Sequence, residues 1–149
     1  MAMSSRKWLL WSGGLLFFLA LQLIPVDRSN PPVEAEPNWD SPQTKTLARA
    51  ACYDCHSNET EWPWYSYVAP FSWWTSQHVR DGRFVFNMSE EGFGRFAGDA
   101  AEVVESGTMP IWPYDWMHPE ARLTDAQRAQ LVEGLRKTFE DHPDVLKHH

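Results

Sequence analysis

Cysteine is nearly missing from this sequence: of 149 residues only Cys52 and Cys55 carry a thiol. Once these two act together, none is left for a disulfide or a second metal site. A zinc ribbon usually takes two separated pairs of Cys/His ligands, and here scattered histidines would have to replace the second pair. Positive charge is scarce as well. Lys and Arg number 13 against 20 Asp and Glu, a formal net charge of −7, and the phosphates of nucleic acid repel such a chain. Internal repeats and low-complexity tracts are absent, so the length reads as one modest domain. A domain of that size cannot build a large aliphatic core. What it has in quantity is tryptophan: nine, with Trp8 and Trp11 near the N-terminus and the rest beyond. So many flat rings suit a core completed by a large apolar group as well as a plain aromatic core.

Both thiols stand in one pentad, Cys52-Tyr53-Asp54-Cys55-His56. Two cysteines three positions apart can add to the two vinyl groups of one haem. The adjacent histidine then lies beneath the iron as a fifth ligand, which is the pattern of c-type attachment. A thioredoxin-like dithiol would follow a strand in a βαβ unit, whereas the residues before Cys52 read as helix and no such unit follows. The expected cofactor is therefore a single covalent haem c, bound by Cys52 and Cys55 with its iron on His56.

Arg6 and Lys7 form a short basic head before an apolar stretch from Trp8 to Ile24. A helix over that stretch would be roughly 25 Å long at ~1.5 Å per residue, at the short limit for the hydrocarbon core of a bilayer. No small-residue cleavage site follows closely, and Val33-x-Ala35 lies far downstream beyond Pro31 and Pro32. The expectation is an uncleaved signal anchor and transmembrane helix over 1–28. The basic head keeps that end inside, so the remainder is expected outside: a bacterial inner-membrane protein with its haem domain facing the periplasm. Proline and acid dominate from Asp27 to Pro42, which reads as a semi-rigid linker, assigned to 29–40. The haem-binding domain takes 41–149.

Within that domain Ser41 and Pro42 start a helix, a capping hydroxyl followed by proline at the first helical position. It should run to about Ala51, with Leu47 and Ala51 on one face, and deliver the pentad at its end. Glu61 to Phe71 is too rich in proline and rings for regular structure. It is expected as a loop along the haem edge, with one of its carbonyls accepting the second ring nitrogen of His56; filling the core is the plainer alternative. Ser72 to Arg83 reads as helix, with Phe71, Trp74 and His78 on one face. His78 is an alternative distal ligand, more simply a hydrogen-bonded core histidine. Arg80 and Arg83 are candidates to pair with haem propionates.

Ser89 to Gly98 reads as loop or weak helix. A short helix follows, with Asp99 and Glu102 in capping-box spacing and Gly107 as its stop. Next comes Thr108-Met109-Pro110. Proline forces the residue before it into extended backbone, which sets Met109 on a fixed loop, and a thioether opposite histidine is a known haem ligand. Met109 is the expected distal ligand; Met88, Met117 and His118 remain behind it, as does simple packing. The chain closes on a helix capped by Thr124 and Gln127, with Leu131, Val132, Leu135 and Phe139 as its apolar stripe. Arg128, Glu133, Arg136 and Lys137 fall to its solvent side. Gly134 either permits close packing on the first helix of the domain or is a tolerated surface residue. His148 and His149 read as tail.

With these residues in view, the sequence resembles the bacterial haem-binding domain family of small single-haem c-type proteins. The likeness rests on Asn30-Pro31-Pro32, the pentad, Trp62-Pro63-Trp64-Tyr65-Ser66, Ala69-Pro70, Ser72-Trp73 and His78-Val79. It continues through Gly82-Arg83, Asn87-Met88-Ser89, Met109-Pro110, His118-Pro119 and Ala121. The chain departs from the pattern where an aromatic is expected soon after Asn-x-Ser and Glu90, Glu91 and Gly92 stand instead. The resemblance implies an all-α, cytochrome c-like domain around one covalent haem, here preceded by the expected transmembrane helix.

Two functions follow. The first is a membrane-anchored monohaem cytochrome that relays single electrons, steered by its acidic surface towards a redox partner with a basic docking face. The second is a haem peroxidase or sensor with an open or weakly held sixth position, His78 or His118 then supplying acid–base chemistry.

Overall fold

The computed structural model describes residues 5–142, so the tail histidines His148 and His149 lie outside the described residues. Among the described residues there are helices and no strands, the all-α class expected. The α-helices are α1 (Ser5–Leu21), α2 (Pro42–Ala51), α3 (Tyr53–His56), α4 (Phe71–Val85), α5 (Ala100–Glu105), α6 (Tyr114–Met117) and α7 (Asp125–Thr138). Two 3-10 turns, Trp64–Tyr67 and Pro119–Ala121, complete the set. The chain divides into two compact units. One holds the residues up to Ser29 with Trp62–His78; the other holds Asn30–Glu61 with the chain from Val79 on.

In the first unit α1 does not carry the apolar run to Ile24. The helix closes at Leu21, and the N–H groups of Gln22, Leu23 and Ile24 turn back three residues, to Leu19, Ala20 and Leu21. Gln22 is held there from both ends of its carboxamide. Its Nε2 donates to the Phe18 carbonyl at 2.9 Å and its Oε1 accepts the Ala69 N–H at 2.9 Å. The 17 residues of α1 include Arg6 and Lys7 in the first turn and Ser12, Gly13 and Gly14 midway. A fully apolar helix of that length reaches only about 25 Å against a core of about 30 Å. No helix among the described residues is long and apolar enough to cross a membrane. This corrects the expected N-terminal transmembrane helix, and with it the inner-membrane location and the periplasm-facing orientation that rested on an unbroken run.

The stretch expected as a loop before Phe71 contains the turn Trp64–Tyr67. Ser66 buries its hydroxyl on the Pro63 carbonyl at 2.6 Å, and Arg28 reaches the Ser66 carbonyl at 3.2 Å with its guanidinium over the Tyr67 ring. These bonds give the aromatic stretch a local core of its own, with Tyr65, Ser66 and Ala69 buried.

The second unit is organised around α2, α5 and α7, and α7 packs on both of the others. Ser41 caps α2 by accepting the Thr44 N–H, with Pro42 in the first turn, and the reciprocal capping box of Thr124 and Gln127 starts α7. Both helix starts are as expected. Leu131, Val132, Leu135 and Phe139 are buried against Leu47, Ala48, Ala101 and Val104, each large side chain contributing about 1.5–3 kcal/mol by burial. Gly134 is required by packing: a Cβ there would lie 2.0 Å from Thr44 Oγ1, which decides for close approach to α2. Arg128 is not on the solvent side. It donates to the Val104 carbonyl at 2.7 Å and to the Met109 carbonyl at 3.4 Å. Asp99 precedes α5 without a side-chain cap bond to it, so the expected capping box is not formed. Residues 89–98 are turns and irregular chain, with no helix. There Phe93, at φ 55°, sets its ring centre 5.7 Å from that of Phe139.

Candidate functional site

Helix α2 ends at Cys52, whose N–H bonds the Ala48 carbonyl at 2.8 Å, and the chain winds one further turn, α3, through the pentad. This places Cys52 and His56 on the wall of an apolar cavity of about 260 Å³ in the second unit, just under the usual span of small-molecule pockets, ~300–1,000 Å³. Phe86, Met88, Phe96, Val104 and Met109 are on the same wall. Cys55, His78 and His118 are not among its lining residues.

The tautomer of His56 is fixed by its partners. Nδ1 lies 3.1 Å from the Gly82 carbonyl oxygen and 3.0 Å from that of Phe86. Carbonyls only accept, so Nδ1 carries the proton and donates, which leaves the Nε2 lone pair free. Burial pushes the imidazole below its ordinary pKa, partly offset by these two backbone bonds. A neutral ring held through its second nitrogen is the form that ligates a metal. The expected partner, a carbonyl of the 61–71 loop, is thus replaced by carbonyls at the C-terminal end of α4. Burial also drives both thiols up to about 12, so neither is a thiolate at neutral pH, the form that zinc or disulfide exchange would use.

The pentad is clamped from behind. A Cβ on Gly82 would lie 2.4 Å from the Cys55 carbonyl oxygen, so only glycine lets α4 approach this closely. Arg83, a candidate for a propionate, also braces the pentad: Nε donates to the Ser57 carbonyl at 2.7 Å, and Nη2 reaches Asn30 Oδ1 and Thr60 Oγ1 at 2.8 and 2.9 Å. Asn58 donates to the Pro32 carbonyl at 2.8 Å and accepts from Asn87 Nδ2 at 3.0 Å, while the Met88 N–H meets the His56 carbonyl at 2.8 Å. Inside the pentad, Asp54 Oδ1 accepts the Glu61 N–H at 2.9 Å and Oδ2 accepts the Tyr114 hydroxyl at 2.8 Å.

Met109 reaches the cavity from the segment between α5 and α7, its N–H bonded to the Val103 carbonyl at 2.9 Å. Met88 lines the same cavity but is 1 % exposed and wedged into the core. His78 bonds the Trp74 carbonyl through Nδ1 at 2.8 Å. His118 stacks on Tyr114 with ring centres 4.1 Å apart and meets Glu120 at 2.9 Å. The sequence reading missed the Gly82 and Phe86 carbonyls, the Asp54–Tyr114 bond and the place of Met88 on the wall. A glycine inside α4, where it costs about 1 kcal/mol, was the signal that something packs there.

The family model of the haem-binding domain matches residues 16–137. The chain belongs to the haem-binding domain family. No curated protein and no solved structure matches it significantly. The haem-binding domain thus has an apolar cavity with one imidazole whose Nε2 is free, which fits a haem. Among its described residues no group of three or more His, Cys, Asp or Glu is placed to hold a bare metal ion.

Proposed function

We propose that this haem-binding domain is a monohaem c-type electron carrier. Cys52 and Cys55 would hold the porphyrin through thioethers, and His56 and Met109 would hold its iron. The observation that carries this reading is the pair of carbonyls on His56 Nδ1, which prepares Nε2 as an iron ligand in a cavity that Cys52 and Met109 also line. A haem held by these residues would supply a one-electron redox centre. The protein's own part is to exclude water with an apolar wall and hold the imidazole in one tautomer. The net charge of −7 would speed encounter with a basic redox partner, an effect that weakens as salt is added.

The ferric holoprotein, produced alongside a cytochrome-maturation system, is expected to be low-spin with a weak thioether-to-iron band in the near infrared. Met109→Ala removes that band. Its survival in the variant would transfer the distal role to another residue; high-spin iron in the wild type would favour a peroxidase or sensor.

A further inference from the structure

The segment from Gly107 to Ala121 leaves α5, carries Met109, winds through α6 and returns to α7. Its two exposed rings, Trp112 and Trp116, do not pin it. Tyr114 instead crosses to the pentad and donates its hydroxyl to Asp54 Oδ2 at 2.8 Å. Burial, and then the Asp54 charge, push the Tyr114 hydroxyl far above its ordinary value, so it stays a donor at any physiological pH. The ring is held flat against His118, 12° from parallel. On the other side, Asp54 is fixed by the Glu61 N–H on Oδ1, and its carbonyl accepts the Thr60 hydroxyl at 2.7 Å. One charged hydrogen bond therefore ties the Met109-bearing segment to the turn that carries Cys52, Cys55 and His56, across 60 positions of sequence.

We propose that the Tyr114–Asp54 bond is a latch that holds Met109 over the cavity and sets how often the sixth iron position opens to outside ligands. This rests on Met109 being the distal ligand. Tyr114 and Asp54 are positioning residues: neither lines the cavity, and both act through the mount of Met109. A hydrogen bond to a charged group is worth enough for its loss to raise an opening equilibrium about ten- to hundredfold.

The test is cyanide binding to the ferric holoprotein in the opening-limited regime, with hydrogen exchange of the 108–118 amides followed in parallel. Tyr114→Phe keeps the ring and its stack, and Asp54→Asn keeps an acceptor for Glu61. Each is expected to bind cyanide about ten- to hundredfold faster than wild type and to speed exchange across 108–118, and the double variant to add little to either single one. Met109→Ala sets the fast limit. Wild-type rates in both single variants, with Met109→Ala fast, overturn the latch and leave the ligand intact. An unchanged near-infrared band in Met109→Ala overturns the ligand assignment and the latch with it. Fully additive effects in the double variant also overturn it, since the two groups would then act separately.

Discussion

The pentad turn and the segment bearing Met109 face the same cavity but are mounted differently. Behind the pentad, Arg83, Asn58, Asn87 and the Gly82 backbone converge from three stretches of chain. The Met109 segment is held by the Val103 carbonyl, by Arg128, by Tyr114 and, at Asp115 and Trp116, by Arg122, and its Trp112 and Trp116 are 80 % and 68 % exposed. The imidazole is thus fixed by two backbone carbonyls at the end of α4, whereas Met109 sits on a segment with fewer side-chain ties.

Breaking the fixed side should cost most. Gly82→Ala forces a methyl against the Cys55 carbonyl, and its expected loss is about 3 kcal/mol, read by urea unfolding of the apoprotein. Arg83→Ala should lose about 2–3 kcal/mol by removing charged bonds. Arg83→Lys should recover little, because an ammonium cannot fork to Ser57, Asn30 and Thr60 together. A full rescue by lysine would mean that charge alone matters here. On the yielding side Arg128→Ala should cost only about 1–2 kcal/mol while raising hydrogen exchange near Met109. If it proves worse than Arg83→Ala, the contrast between the two mounts is lost.

The smallest effect is a pH dependence. His56 is buried with its folded pKa below the ordinary 6.5, so between that value and the lower folded one the unfolded chain binds more protons. Stability of the apoprotein is therefore complete above about pH 6.5 and falls as pH drops through this window, by at most about 1.4 kcal/mol per unit. A His56→Gln variant should flatten that slope in thermal melts taken from pH 7 to 5.

What the sequence made legible was local chemistry. Ser41-Pro42, Thr124 with Gln127, and the stripe on α7 announce themselves within a turn of helix, and the pentad's chemistry lies in five consecutive residues. What it hid was set by distant partners. Nothing near Arg83 in the sequence shows that Ser57, Asn30 and Thr60 all lie within its reach. The sequence points to the neighbouring aromatic loop for the partner of His56, which lies at the end of α4 instead. The apolar run to Ile24 read as a membrane span because hydropathy does not register Gln22 bonding back to Phe18 and across to Ala69. Gly134 could be read two ways until Thr44 was seen against it.

The proposed attachment of the porphyrin through Cys52 and Cys55 is tested most directly by acid-acetone extraction of the denatured holoprotein. The pigment is expected to stay with the polypeptide in the wild type, and to be released only when both cysteines are replaced by alanine. Complete extraction from the wild type would contradict covalent attachment and leave a haem held only by its iron ligands and the apolar wall.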